Sequence, residues 1–378
     1  MEDKSVFFLS NIFNEKKAIG ITKKVHHQIV GLKNLGYNHI FYTSYYNDFL
    51  AVLDQNNNII YKKSYILNNK FLRKYFKNYE LKKFAKQFLD NYNQNYEFIY
   101  TRYMFFDSMF LSFLKSCKKR TNRIVIEAHS YPIYNKIDFL YYPIYLQDYI
   151  YTTKCAKYLD LVLAISDKSS IWNTKTVQID NAIVIDDYKI SKRSYTYNDD
   201  INLIFVGYEY NVHGLDRLIK GLHKYYSLSP QKKVNLILVG KMTKKTMNLI
   251  KKYNMSEYIK YLGIKCGEEL DNIFDYADIG IGILAPYRRN SSLGTGLKTK
   301  EYMARGLPIV YAGKSISIKG ECNFIYSLPN NNSIIDINSI IDFYNNIYTI
   351  TDMHYQIRNL VSNLTWENQF EKMINNFQ

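Results

Sequence analysis

The sequence predicts an α/β protein built from two doubly wound units. Three observations carry this expectation. Strand-like and helix-like stretches alternate from Val6 to Ile185. The alternation stops over the polar residues 186–200 and starts again at Ile201. At 378 residues the chain is long enough for two hydrophobic cores.

In the first half, Val6 to Ser10 is an apolar run that suits a buried strand. An amphipathic helix follows from about Thr22 to Leu35, closed by Gly36, and His39 to Ser44 is the next strand. A strand, a loop holding Gly20 and then a helix is how a doubly wound domain opens, and such domains bind ligands at strand C-terminal ends. Residues 68–92 form a basic helical stretch in which Phe71, Leu72, Tyr75, Phe76, Tyr79, Phe84, Phe88 and Leu89 recur at helical spacing. Lys70, Arg73, Lys74, Lys77, Lys82, Lys83 and Lys86 fill the rest. Two readings stand: a surface helix with a solvated basic face, or an interfacial helix resting on an anionic membrane. Glu97 to Tyr103 reads as a strand entering a loop, and Arg123 to His129 as a strand ending in polar residues. Asp160 to Ser166 is almost continuously apolar, as a strand covered on both faces must be.

In the second half, strands are expected at Ile201–Gly207, Val234–Gly240, Tyr258–Gly263 and Asp278–Ile283. Helices are expected at Gly214–Tyr226, Lys244–Tyr253 and Glu268–Tyr276. The most informative stretch is Ser291 to Val310, S-S-L-G-T-G-L-K-T-K-E-Y-M-A-R-G-L-P-I-V. A small-residue loop with Gly294, Thr295 and Gly296 leads at Leu297 into a short helix carrying Lys298 and Glu301 on one face. Gly306 ends that helix and Pro308 keeps it from continuing. A glycine loop at a helix N-terminus leaves backbone N–H groups for an anion. A carboxylate one to two turns in can accept from two vicinal hydroxyls. These parts suit a sugar nucleotide; an ordinary loop–helix–strand connection with a solvated Lys and Glu would look the same.

Hydrophobic residues make up 47% of the chain, which excludes a disordered protein. No run approaches the ~20 apolar residues needed to span a bilayer, and no secretory signal is evident, so a cytoplasmic protein is expected. Cys117, Cys155, Cys266 and Cys322 are scattered and lack metal-ligand spacing. There is no D-x-D triplet of the kind that holds a metal on a donor diphosphate. Net charge is +16, with 26 Lys and Arg against 15 Asp and Glu in residues 1–185. Such a surface attracts phosphate groups, but no nucleic-acid-binding module is present to exploit it.

K-x-x-E-Y-M-A-x-G-L-P-I-V, starting at Lys298, resembles the donor-site signature of the retaining family-4 glycosyltransferases. F-V-G followed by H-G-L-D-R-L-I, D-L-V-L-A-I-S at Asp160 and a final helix opening at Trp366-Glu367 are similar to further family segments. The resemblance implies a GT-B fold, two Rossmann-like domains facing each other across a cleft. It implies residues 1–185 joined by 363–378 as the acceptor-side domain, 186–200 as linker and 201–362 as the nucleotide-sugar domain. Glu301 would hold the ribose. The loop Gly294, Thr295, Gly296 and Leu297, with Lys298, Gly20, Gly207, His213, Lys241 and Arg288, would surround the donor. His129, Lys298 and, as a lesser candidate, Glu127 would serve the transferred sugar. Two departures are plain: Leu293 stands where many members carry a first Glu, and His213 where a Lys is usual. The implied activity is metal-independent, retaining transfer of a sugar, commonly UDP-linked, to a hydroxyl of a glycan or lipid-linked acceptor. No cofactor beyond the sugar nucleotide is expected. The setting implied is bacterial surface polysaccharide synthesis at the inner face of the plasma membrane. A non-catalytic subunit supporting an active transferase is the other reading.

Overall fold

The computed structural model describes the chain except residues 1–3, 14–18, 67–69, 129–141, 167, 195, 198, 294–295, 316–317, 319–321 and 378; for 19–20 and 70–75 it describes the backbone alone. Two compact units divide it. One comprises Met1–Asp180 with Thr365–Gln378, the other Asn181–Leu364.

The first unit runs β1 (Ser5–Phe13), α1 (Ile19–Asn34), β2 (His39–Tyr45), β3 (Phe49–Leu53), β4 (Ile59–Ser64), α2 (Lys70–Asn91), β5 (Phe98–Arg102), α3 (Ser108–Cys117), β6 (Ile124–Ala128), α4 (Tyr142–Ala156), β7 (Leu161–Ala164), β8 (Ser170–Ile171) and β9 (Thr174–Gln178). Among the described residues its sheet is ordered β4-β3-β2-β1-β5-β6-β7-β9-β8. The inner strands pair in parallel, while β3, β4 and β8 join antiparallel. β5, β6 and β7 are buried along their whole length, which explains why they are apolar except at Thr101, Arg102 and Glu127. The chain's last helix, Trp366–Ile374, docks on α1. Gly31 permits the approach, since a Cβ there would stand 2.7 Å from Trp366 Cβ.

The second unit runs β10 (Ile201–Tyr208), α5 (Leu215–Tyr226), β11 (Val234–Lys241), α6 (Lys244–Lys252), β12 (Ile259–Tyr261), α7 (Gly267–Phe274), β13 (Ile279–Ile281), α8 (Leu297–Ala304), β14 (Ile309–Ala312), β15 (Ile325–Leu328), α9 (Ile337–Asn345) and α10 (Met353–Asn359). Its sheet is parallel throughout, ordered β12-β11-β10-β13-β14-β15. The order reverses between β10 and β13. In a doubly wound sheet that switch point is where a crevice opens beyond the strand ends.

Several expected boundaries shift. Residues 186–200 were expected to be a linker, but much of this segment is anchored in the second unit, which begins at Asn181. The Ile183 N–H donates to the Leu364 carbonyl, and the Ser191 N–H to that of Arg305. Arg358 donates to the carbonyls of Tyr188 and Ile185. Polarity concealed this because the segment is tied largely by hydrogen bonds, with Tyr188 packed into the core. Helix α1 begins three residues before Thr22, so Gly20 lies in its first turn and not in the preceding loop. On α2, Lys82 does not belong to the solvated basic face. It is 1% exposed and bonded to Asp107 at 2.8 Å.

Candidate donor site

The loops after β10 and β13 flank the switch point of the second unit, and they are stitched together. The Ala285 N–H donates to the Val212 carbonyl at 2.9 Å, and the Leu284 N–H to that of His213 at 3.2 Å. Arg217, buried under this junction, donates to the carbonyls of Leu284 and Ser333. Strand ends Gly207 and Gly240 lie side by side in register, both with positive φ (128° and 113°). A Cβ on Gly240 would fall 2.2 Å from the Gly207 carbonyl oxygen, so that position requires glycine.

Helix α8 rises from the same place. Gly296 is its N-cap, extended and without a side-chain cap. The first turn therefore lacks the N–H partner that Ser, Thr or Asp would supply there. Thr299 Oγ1 donates to the Gly296 carbonyl at 2.7 Å and fixes the turn. Tyr302, fully buried, reaches under the sheet, where its hydroxyl accepts the Val206 N–H at 2.9 Å. Gly280 makes room for it, since a Cβ there would lie 2.4 Å from the Tyr302 ring. These contacts lock the rotation of α8 and so the direction in which Lys298 and Glu301 point.

Lys298 stands in the first turn of α8. Its Nζ is cut off from solvent and makes no hydrogen bond to any described residue. It sits 3.7 Å from the centroid of the Phe205 ring, a cation–π contact. A Cβ on Gly207 would stand 3.5 Å from that Nζ, so the glycine leaves the ammonium's near side clear. Burial pushes the ammonium down to about 7, against the opposing pull of Glu301 and Glu209. Glu209 is held by the Thr243 N–H at 2.8 Å and by the Thr246 hydroxyl. His213 is neutral: burial, then the charges of Lys298 and Arg289, push it down to about 3. Its Nδ1 accepts the Tyr210 N–H at 2.8 Å, which puts the ring proton on Nε2 as a donor.

The other assigned residues are placed as follows. Glu301 is half-buried and accepts the Tyr188 hydroxyl at 3.0 Å. Leu297 opens α8 and packs against the core. Lys241 is exposed at the end of β11. Arg288 is committed elsewhere. It grips Asp216 through two bonds of 2.8 Å and also the Asn211 carbonyl, so it closes the loop junction. Gly294, Thr295 and His129 lie outside the described residues. Glu127, in the first unit, is a fixed carboxylate. Burial would raise its pKa, but Lys24 at 2.6 Å and Arg102, with bonds from Gln28 and Tyr100, hold it well below the usual range. It has no proton to offer. Tyr188, Glu209 and the Tyr302 anchor escaped the sequence reading, because no spacing signal marks a residue that supports another.

The family comparison falls on the same stretch. Residues 200–335, which span the switch point and α8, match the family described as Glycosyl transferases group 1. The matched residues all lie within the second unit. No curated protein sequence matches the chain. Solved structures do. Sucrose-phosphate synthase from Thermosynechococcus elongatus is 14% identical with a TM-score of 0.63, covering 99% of each chain. The Anabaena protein HepE, solved with UDP and glucose, is 13% identical with a TM-score of 0.59, over 98% of this chain and 99% of that one. The pneumococcal O-GlcNAc transferase GtfA, solved with UDP and GlcNAc, is 11% identical with a TM-score of 0.59, over 99% and 98%. At such identities the likeness is one of fold, and that fold is GT-B, as the sequence resemblance implied.

Proposed function

We propose that this protein is a retaining glycosyltransferase that draws its sugar from a nucleoside diphosphate donor seated at the β10/β13 switch point. The observation that carries the proposal is Lys298, a buried cation without a hydrogen-bond partner among the described residues. An isolated buried charge is costly, and it persists where a ligand of opposite charge completes it. A diphosphate supplies that charge. Lys298 and the first N–H groups of α8 would receive the negative charge that develops as the sugar–phosphate bond breaks. Neutral His213 would add a hydrogen bond through Nε2. Glu301 would take the ribose hydroxyls. The acceptor hydroxyl would attack from the face the diphosphate leaves, with a departing phosphate oxygen taking its proton. No protein nucleophile is needed in this scheme, and since Lys298 supplies the positive charge we expect transfer to survive chelation of divalent metal.

UDP-sugars are the first donors to test, because two of the fold neighbours were solved with UDP. The proposed acceptor is a hydroxyl of a glycan or lipid-linked glycan in surface polysaccharide synthesis. Among the described residues no helix is long and apolar enough to cross a membrane. Contact with an anionic membrane through α2 is part of the proposal, supported by exposed Phe76 and Tyr79 on that basic helix. The deciding assay incubates the full chain with UDP-glucose, UDP-galactose and UDP-N-acetylglucosamine and measures UDP release, with and without EDTA. Release that persists in EDTA supports the proposal. Binding without release from any of them would favour the non-catalytic subunit, the reading that Leu293 in place of the first Glu keeps in view.

A further inference from the structure

We propose that Tyr188 is a positioning residue that sets the Glu301 carboxylate for the donor ribose. The proposal rests on the donor-site reading above and deepens it. Tyr188 lies in the segment whose composition suggested a linker. Its hydroxyl donates to Glu301 Oε1 at 3.0 Å. Burial, and then the Glu301 charge, drive the phenol far above its usual range, so the proton stays on Tyr188.

The tyrosine is itself immobile. It is 4% exposed. Its carbonyl accepts Arg358 Nη1 at 2.7 Å, and the same guanidinium reaches the Ile185 carbonyl at 3.0 Å. The Arg305 guanidinium stands 5.4 Å from the Tyr188 ring centroid and is tethered to Asp271 at 2.7 Å. A glutamate on a helix surface samples several rotamers, and one bond from a fixed phenol removes most of that freedom before the ligand arrives. One hydrogen bond leaves Oε2, and a remaining lone pair on Oε1, for two vicinal hydroxyls. A carboxylate so prepared recognises a cis-diol. Specificity for the ribose is thus fixed from outside α8, by a residue 113 positions earlier in the chain.

Calorimetry on the full chain tests this with the wild type and Tyr188→Phe. The probes are UDP, GDP and CDP, each beside its 2′,3′-dideoxy counterpart. Phenylalanine keeps the ring against Arg305 and deletes the hydroxyl alone. We expect the diphosphate that the wild type binds to weaken about tenfold in the variant, while its dideoxy form binds both proteins equally. A merely structural role would weaken both forms together, and that result overturns the proposal. So does unchanged or tighter binding of the ribose form, which would mean that Tyr188 competes with the ribose. A wild type that binds none of the three diphosphates overturns the donor-site reading itself, and the positioning role with it.

Discussion

Two lysines with buried ammonium groups, one in each unit, meet opposite fates. Lys82 on α2 is completed by its own protein. Its ammonium donates to Asp107 at 2.8 Å and to the carbonyls of Phe105 and Met104 at 2.7 and 3.2 Å. Asp107 in turn caps α3 through the Phe110 N–H. Lys298 on α8 has an aromatic face beneath it and no hydrogen bond to any described residue. Burial lowers the pKa of both, and at Lys82 Asp107 opposes the shift. A lysine with its bonds made holds a loop in place; one with its bonds unmade is ready for an anion. The difference teaches that burial alone does not mark a site. The state of the partners does.

The comparison makes predictions of decreasing size. Lys82→Met should cost the protein about 3–5 kcal/mol in urea unfolding, because it strands Asp107 and two carbonyls. A loss under about 1 kcal/mol would mean that Lys82 is no more a structural pair than Lys298 is. For Lys298 the next prediction concerns pH. Its folded pKa of about 7 lies below the ordinary 10.5, so the unfolded chain holds a proton that the folded protein has shed between those values. Stability should therefore rise with pH across that interval. A bound diphosphate restores the charge, so binding at pH 8 should take up about one proton, read by calorimetry in buffers of different ionisation enthalpy. Lys298→Arg, which stays charged, should bind with no uptake. Arg288→Ala should change diphosphate affinity by less than about 0.5 kcal/mol, because its guanidinium already belongs to Asp216. A larger loss would return Arg288 to the donor.

Much of the fold was legible because buried parallel strands leave unbroken apolar runs, as at Asp160–Ser166, and because Gly36 and Gly306 punctuate the helices. The hairpin of β3 and β4 was not, since β4 is an edge strand with few buried residues to produce an alternation. In the site, Lys298 and Glu301 stood out by their spacing after a glycine loop. At Arg288 a sequence shows a charge but not the Asp216 that pairs with it. Lys82 likewise hides its partner Asp107, sitting at a helical interval among solvated lysines. Tyr188 was invisible: its role exists only once the segment after Asn181 folds against α8.

The central claim is that Lys298 is kept for a ligand at the protein's expense. The most direct measurement sets the melting temperature and the nucleoside diphosphate affinity of Lys298→Met beside those of the wild type. Methionine fills similar space and removes the uncompensated charge, so the variant should melt at the same temperature or higher. It should also bind the diphosphate about 2–5 kcal/mol more weakly. A variant that keeps its affinity, or one that melts well below the wild type, would contradict the account.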